Sequence, residues 1–349
     1  MKSDNLRKTL LFKGALAAIL AGAVQTVVSA SADPISDLRS LSVFKDADLS
    51  KLSGGTVSAA AGPRMKLARD MSVQSAYIVR APVKTTVGLI QQWDPTRHSE
   101  LRVYLQGDLS ARVSADSFRN LGSAPRNSAV HGLVDATQKL PGNESKLQLS
   151  SAEAKQYAGG GASGEGIPAP VLSFWSQVLA QRTGTFLTEG LSAEPAYDGV
   201  DLSPAAEITQ LINNSDGVRS YFSSLISSTP AGGGRGSLAP ALSWQLLDAN
   251  GQAALSLDAS YIKPVSDGYQ IMDLGYYASG GYYAVVTLQQ LWPVQVDGRD
   301  ATLVWRVDLV SSAAFGDLRG TERLGSGVAM MRDIQKDIRA FIHDAGSAR

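Results

Sequence analysis

Residues 241–311 read ALSWQLLDANGQAALSLDASYIKPVSDGYQIMDLGYYASGGYYAVVTLQQLWPVQVDGRDATLVWRVDLVS, and this stretch decides the fold. Apolar and polar residues alternate along it, which is typical of half-buried β-strands. The pattern predicts five strands, at 241–248, 253–263, 268–278, 281–292 and 301–311. Turn-forming residues separate them, at 248–251, 279–281 and 297–300 among others. Strands joined by such short turns form an antiparallel meander.

Two further strands and a helix are predicted upstream of the meander. A strand begins at Met71 and ends near Arg80, and a helix with Pro82 at its first position follows as far as Trp93. Asp94-Pro95 ends that helix, and residues 101–109 alternate again as a strand. The complete sheet therefore has seven predicted strands.

A long amphipathic helix is predicted at the C-terminus. Its apolar face is formed by Val328, Met331, Ile334, Ile338, Phe341 and Ile342. Its other face is predicted to be exposed and carries Arg332, Asp333, Lys336, Asp337 and Arg339.

The segment between the second and third strands has a different character. Residues 120–236 contain helical periodicities, such as Val218, Tyr221, Phe222 and Leu225, bounded by glycine clusters. We interpret this segment as an α-helical insertion. Residues 33–70, which contain Gly54-Gly55 and little periodicity, are interpreted as a flexible leader.

This order of elements resembles the START-like superfamily of lipid-transfer domains. The resemblance is carried by Tyr77-Ile78-Val79-Arg80-Ala81-Pro82, by Trp93-Asp94-Pro95-Thr96-Arg97-His98, and by 302–307 before the terminal helix. It covers 71–119 and 237–345, and 120–236 departs from it. It implies an α+β fold in which a long C-terminal helix grips a seven-stranded curved antiparallel sheet, with a hydrophobic ligand enclosed between them.

The candidate ligand-binding residues are aromatic or apolar side chains of the sheet and its helices. Tyrosine suits a partly wet pocket because its ring is apolar and its hydroxyl can form a hydrogen bond. Alternation requires that about half of the rings face away from any cavity, so core packing is the alternative for each. Trp305 shares a face with Leu303 and Val307, which predicts that it packs against the terminal helix. The candidates are Tyr77, Trp93, Tyr261, Tyr276, Tyr283, Trp305, Met331 and Ile338.

Charged residues within the strands permit two interpretations. Arg102, Arg306 and Asp308 either lie on a solvated face or bind the head group of an anionic ligand. His98 lies near acidic residues, but the other histidines, His131 and His343, are remote in sequence. The sequence therefore predicts no metal site, no cofactor and no catalytic residue.

Composition and the N-terminus indicate an exported protein. The 349 residues include 32 Lys+Arg and 32 Asp+Glu, and this formal net charge of zero argues against nucleic-acid binding. The sequence contains no cysteine. Residues 1–32 combine a basic start, an apolar stretch over 14–28 and a small-x-small site at 30–32. They predict a signal peptide, location in the periplasm or outside the cell, and no membrane span after cleavage.

Three functions are compatible with these patterns. The leading hypothesis is an exported protein that binds a lipid or another hydrophobic small molecule between the sheet and the terminal helix. The alternative is a structural module of the cell envelope with a fully packed core and a protein partner. The third is a cofactor-free enzyme that uses the same cavity, which requires a buried acid or base facing the void.

Overall fold

The computed structural model describes residues 33–142, 147–160, 166–234, 236–316 and 320–347. The predicted signal peptide, residues 1–32, lies outside the described residues. Among those that are described, no helix is both long and apolar enough to cross a bilayer.

Within the described residues, eight antiparallel strands form one sheet. The strands are β1 (Ser58–Ala61), β2 (Asp70–Val79), β3 (Val103–Leu109), β4 (Ala241–Ala249), β5 (Gln252–Val265), β6 (Gly268–Ala278), β7 (Ala284–Val296) and β8 (Arg299–Ser311). Their spatial order is β1-β2-β8-β7-β6-β5-β4-β3. Strands β4 to β8 form a continuous meander, and β3 pairs with β4 although the insertion separates the two in sequence. On the other side of the meander, β2 pairs with β8 over the full length of β2.

The α+β class, the antiparallel sheet and the C-terminal helix are confirmed, but the sheet has eight strands, not seven. The additional strand, β1, lies in 33–70, which was predicted as a flexible leader. Its sequence Ser-Ala-Ala-Ala has no polar–apolar alternation to reveal it. It pairs only with β2, from Ser58 opposite Ala76 to Ala61 opposite Val73, so its structure depends on that neighbour.

Two hairpin turns depend on residues that tolerate a left-handed backbone. Asn250 and Gly251 have φ of 61° and 88°, and Asp297 and Gly298 have φ of 52° and 71°. Two consecutive positive φ values are the signature of a type I′ turn, whose twist matches that of the flanking strands. These Asn-Gly and Asp-Gly pairs therefore set the registers of β4 with β5 and of β7 with β8.

The described helices fall into four groups along the chain. Two precede β1, one follows β2, and a series from 128 to 226 forms the insertion; the last two follow β8. Short 3₁₀ turns link several of them, including Pro95–Arg97 and Ser99–Leu101. The helices are α1 (Pro34–Leu41), α2 (Leu49–Ser53), α3 (Val83–Gln92), α4 (Ser128–Gln138), α5 (Ser151–Ala154), α6 (Ala169–Glu189), α7 (Pro204–Asn213), α8 (Asp216–Tyr221), α9 (Ser223–Ile226), α10 (Ala313–Gly316) and α11 (Gly320–Ser347).

The two faces of the sheet are covered by different parts of the chain. We call the face covered by helices of the insertion, α1 and α2 the insertion face; it carries Leu246, Leu257, Met272, Trp305 and Leu309. We call the face covered by α3 and α11 the helix face; its apolar residues include Tyr77, Val79, Ile271, Leu291 and Val304. Strand alternation separates the two sets.

Trp305 lies on the insertion face, and the expectation that it packs against the terminal helix is wrong. Its ring centroid is 5.7 Å from that of Tyr221 and 5.6 Å from that of Phe222. The predicted face of β8 was correct, but its covering element was not. Among the elements that pack on the sheet, the insertion contributes most of the buried apolar side chains. It therefore covers the more apolar face of the sheet.

Candidate functional site

An open cleft lies on the helix face, between the sheet and the elements α3, Pro95–Arg97 and α11. Its volume is about 340 Å³. Side chains of six consecutive strands, β3 to β8, form its floor, and Ile90, Trp93 and Asp337 contribute to its wall. We call it the acidic cleft, because Asp258, Asp273, Asp308 and Asp337 lie in or beside it.

Strand register brings these polar side chains together. Asp273 of β6 lies opposite Ser260 of β5 and Thr287 of β7. Thr287 in turn lies opposite Asp308 of β8. Each residue alternates with an apolar residue of the insertion face, so the hydrophobic core on one side obliges the polar residues to project on the other.

Arg306 is the cation of the acidic cleft, and each of its three nitrogens already contacts a carboxylate. Its Nε lies 3.0 Å from each carboxylate oxygen of Asp308, and its Nη2 lies 2.9 Å from Asp308 Oδ1. Its Nη1 donates to Asp337 Oδ2 at 2.8 Å. Thr287 Oγ1 also donates to Asp308, at 2.9 Å. The interpretation that Arg306 binds an anionic head group is therefore not favoured.

Two further carboxyl groups of the acidic cleft, those of Asp258 and Asp273, form no ion pair among the described residues. Burial raises the pKa of Asp258 to about 7; the hydrogen bond from Ser256 lowers this pKa, and the charge of Asp273 raises it. Burial also raises the pKa of Asp273, although the hydrogen bond from Ser260, the charge of Arg306 and the hydrogen bond from Gln289 oppose this effect. The Asp258 carboxyl can therefore exchange a proton or bind a cation near neutral pH.

The uncharged polar groups of the acidic cleft offer mainly acceptors. Gln289 Nε2 donates to Asp273 Oδ2 at 3.3 Å, and within the described part of the chain its Oε1 accepts no hydrogen bond. Gln245 Nε2 donates to Gln106 Oε1 at 3.1 Å, which leaves the Gln245 oxygen available. A molecule that enters the cleft therefore meets acceptor atoms from several strands.

A small apolar pocket adjoins the acidic cleft. It has a volume of about 50 Å³, and Tyr77, Ile338 and Phe341 form much of its wall. Trp93 contributes to both spaces. The Trp93 and Phe341 rings meet edge to face at a centroid distance of 5.8 Å, and Trp93 Nε1 donates to Asp344 at 3.2 Å. Asp344 Oδ2 also lies 2.8 Å from His98 Nε2. The Trp93 indole is therefore positioned by the Phe341 ring and by the Asp344 carboxylate.

The structure separates the predicted ligand-binding residues into three groups. Tyr77, Trp93 and Ile338 come together at the apolar pocket. Met331 is half-buried on α11, outside the lining of both spaces. The remaining four, Tyr261, Tyr276, Tyr283 and Trp305, belong to the core between the sheet and the insertion.

Of the four carboxyl groups that define the acidic cleft, sequence analysis singles out only that of Asp308. Asp337 was assigned to the exposed face of the terminal helix, but it pairs with Arg306 instead. Asp258 and Asp273 were not singled out. The available signal was a charged residue at one polar position in each of three predicted strands, but their proximity follows only from the strand register.

A second cleft lies on the other side of the sheet, at the hairpin ends. It has a volume of about 600 Å³ and is bounded by the 197–200 loop, the turn at 249–252 and the turn at 279–283. Tyr197 and Tyr283 contribute rings, whereas small residues such as Ala249, Ala253 and Gly280 form much of its surface. The polar side chains of its lining, those of Gln148, Asn250, Gln252 and Ser279, are uncharged.

No family model, curated protein or solved structure matches this chain. The described residues contain no group of three or more His, Asp or Glu side chains placed to hold a metal ion. Any inference about function therefore depends on the geometry of the acidic cleft.

Proposed function

We propose that this chain is an exported protein that binds a compact organic ligand in the acidic cleft between the sheet and the terminal helix. The observation that carries the proposal is a solvent-reachable void of about 340 Å³ whose polar groups come from six strands and two helices. Pockets for small molecules begin at about 300 Å³ and combine apolar walls with a few convergent polar groups.

The polar groups are difficult to explain as packing alone. Charged groups removed from water destabilise a fold unless they are paired and hydrogen-bonded. Arg306 compensates Asp308 and Asp337, but Asp258 and Asp273 form no ion pair among the described residues. Groups that cost stability and face a cleft are typical of functional sites.

The START-like resemblance remains part of this proposal. It is supported by the placement of β2 beside β8 and by the position of α11 on the face that holds the cleft. A lipid-binding role is supported by the apolar pocket at Trp93, but the small volume of that pocket favours a short apolar group over a sterol or phospholipid. A fully packed envelope module is less consistent with a void of this size.

A cofactor-free enzyme is the second candidate function. It is supported by Asp258, whose pKa of about 7 would let its carboxyl act as a general acid or base on a bound molecule. Turnover of a co-purified ligand by the wild-type protein, and its loss in Asp258→Asn, would support this candidate over simple binding.

The test is native mass spectrometry of residues 33–349, followed by extraction of the bound material with both organic and aqueous solvents. We expect a stoichiometric adduct on the wild-type chain. Ser243→Trp, which places an indole in the cleft, should lose the adduct, whereas Ser223→Trp on an exposed position of the insertion should keep it. An apo mass that persists after incubation with cell extract would contradict the proposal.

A further inference from the structure

We propose that the ligand of the acidic cleft carries an organic ammonium group next to a short apolar group. This inference rests on the proposed function, because it names the class of molecule that the same cleft would take. Asp258, Asp273 and the amide oxygen of Gln289 would receive the ammonium group, and Trp93 with its neighbours would receive the apolar group.

The charge balance of the cleft calls for a cation. Five carboxyl groups, those of Asp108, Asp258, Asp273, Asp308 and Asp337, lie in or beside the cleft with one guanidinium, whose charge is shared by Asp308 and Asp337. Asp258 is bonded by Ser256 Oγ at 2.8 Å but has no cationic partner among the described residues. An ammonium between Asp258 and Asp273 would supply the missing charge and the missing donors.

Gln289 provides an independent observation in favour of a hydrogen-bond donor. Its side chain is 4% exposed, and it lines both the acidic cleft and the apolar pocket. Its amide nitrogen is used by Asp273, whereas its oxygen accepts no hydrogen bond within the described ranges. This oxygen stays within reach of water at the wall of the void, where a ligand donor would take the place of water.

The continuity of the two spaces indicates an amphiphilic ligand. Gln289, Trp93 and Asp337 line both the acidic cleft and the apolar pocket. Beyond them the wall is formed by Tyr77, Phe341 and Ile338, the last of these 1% exposed. A molecule with its ammonium at Asp273 can therefore extend an alkyl or aryl group towards Trp93, where aromatic rings also favour the adjacent positive charge.

Other ligand classes fit less well. A carboxylate or phosphate would face the negative charge of Asp258 and Asp273, and the charge of Arg306 is already balanced by Asp308 and Asp337. A bare divalent metal would need about three ligands placed around one point, and the described residues contain no such group. A neutral alcohol could donate a hydrogen bond to Gln289 but would leave the negative charges of Asp258 and Asp273 without a cation.

The test uses three probes that differ only in the head group: hexylamine, hexanol and hexanoate. Each is titrated into residues 33–349 at pH 8 by isothermal calorimetry. We expect hexylamine to bind about tenfold or more tightly than either of the others, as charge-assisted hydrogen bonds imply. Because this series uses the wild-type chain, its result does not depend on whether a variant folds.

Matched variants then locate the site. Asp258→Asn and Gln289→Leu should each weaken hexylamine binding by about tenfold, the effect of losing one hydrogen bond to a charged group. Asp333→Asn is the control, because its side chain is 69% exposed and lies outside the lining of the acidic cleft and the apolar pocket, so the substitution should leave binding unchanged.

The outcomes separate the two proposals. Equal or tighter binding of hexanol or hexanoate, or unchanged binding of hexylamine by folded Asp258→Asn and Gln289→Leu, would overturn the ammonium assignment and leave the cleft as a ligand site. Failure of all three probes together with an apo mass after incubation with cell extract would overturn the proposed function as well.

Discussion

Arg306 Nη1 lies 2.8 Å from Asp337 Oδ2, and this ion pair joins the last strand of the sheet to the terminal helix. The same guanidinium is held to Asp308, two residues further along β8. Asp308 therefore holds the Arg306 guanidinium on the sheet, and Asp337 connects the same guanidinium to the helix. The pair positions α11 at the edge of the acidic cleft, so it contributes to both stability and the width of the site.

Replacement of Arg306 by Met should destabilise the fold. It leaves Asp308 and Asp337 without their cation in a poorly solvated environment, and loss of one partner of such a pair costs about 3 kcal/mol. The free energy of unfolding in urea at pH 7 measures this effect. Arg339→Met, on the exposed side of the same helix, is the matched control and should change stability by about 0.5 kcal/mol or less. Equal effects of the two substitutions would argue against a special role for Arg306.

Binding of hexylamine should strengthen as pH rises from 6 to 8. The amine stays protonated over this range, whereas Asp258, with a pKa of about 7, passes from mostly neutral to mostly ionised. Since the ammonium binds the ionised form, the apparent Kd should fall by about tenfold. Asp258→Asn should reduce the slope, and a Kd that rises with pH would contradict the assignment.

A second buried cluster predicts a pH dependence of stability in the insertion. Arg182 Nη2 donates to Glu153 at 2.7 Å, and its Nη1 lies 3.4 Å from Glu194. The guanidinium also lies over the Tyr277 ring, 4.1 Å from its centroid. Two carboxyl groups thus share one cation in a dry environment, and burial raises the pKa of Glu194 from 4.5 to about 8, although Arg182 opposes this shift.

The sign of the effect follows from proton linkage. The folded protein binds the Glu194 proton more tightly than the unfolded chain, so this contribution to stability is complete below pH 4.5 and is lost as pH rises to about 8. Glu194→Gln cannot titrate and should show a smaller decline in unfolding free energy between pH 5 and 8. Glu189→Gln, at an exposed position at the end of α6, should keep the wild-type profile. Identical profiles for wild type and Glu194→Gln would show that Glu194 is ionised in the fold.

Substitutions of Trp305 and Ile338 should differ in their effects on ligand binding, because the two side chains lie on opposite faces of the sheet. Trp305→Phe should cost about 1–3 kcal/mol through lost contacts with Tyr221 and Phe222, and it should leave the hexylamine Kd unchanged. Ile338→Ala should cost about 2–4 kcal/mol and also weaken binding, because Ile338 lines the apolar pocket. Urea unfolding and calorimetry on the same samples measure both quantities. Weaker binding in folded Trp305→Phe would place the ligand on the insertion face.

The sequence by itself determined the strands, their turns and the terminal helix. Period-two alternation is a local property, and Asn250-Gly251 and Asp297-Gly298 specify their turns through the backbone conformations that they tolerate. Consecutive strands with short connections have only one simple way to pair. The sequence did not predict the short strand β1, because its alanines show no polar–apolar alternation. The structure of β1 follows from its pairing with β2.

Only the tertiary structure decided which helices cover which face, and hence what the acidic cleft contains. Alternation groups Arg306 with Asp308 and separates both from Trp305, but it does not say whether α11 or the insertion covers either set. That choice depends on which pairs of surfaces bury the most apolar area, a property of the whole chain. Likewise, Asp258, Asp273 and Asp337 are 79 residues apart at the extremes in sequence and meet only because strand register and the Arg306–Asp337 pair bring them to one cleft.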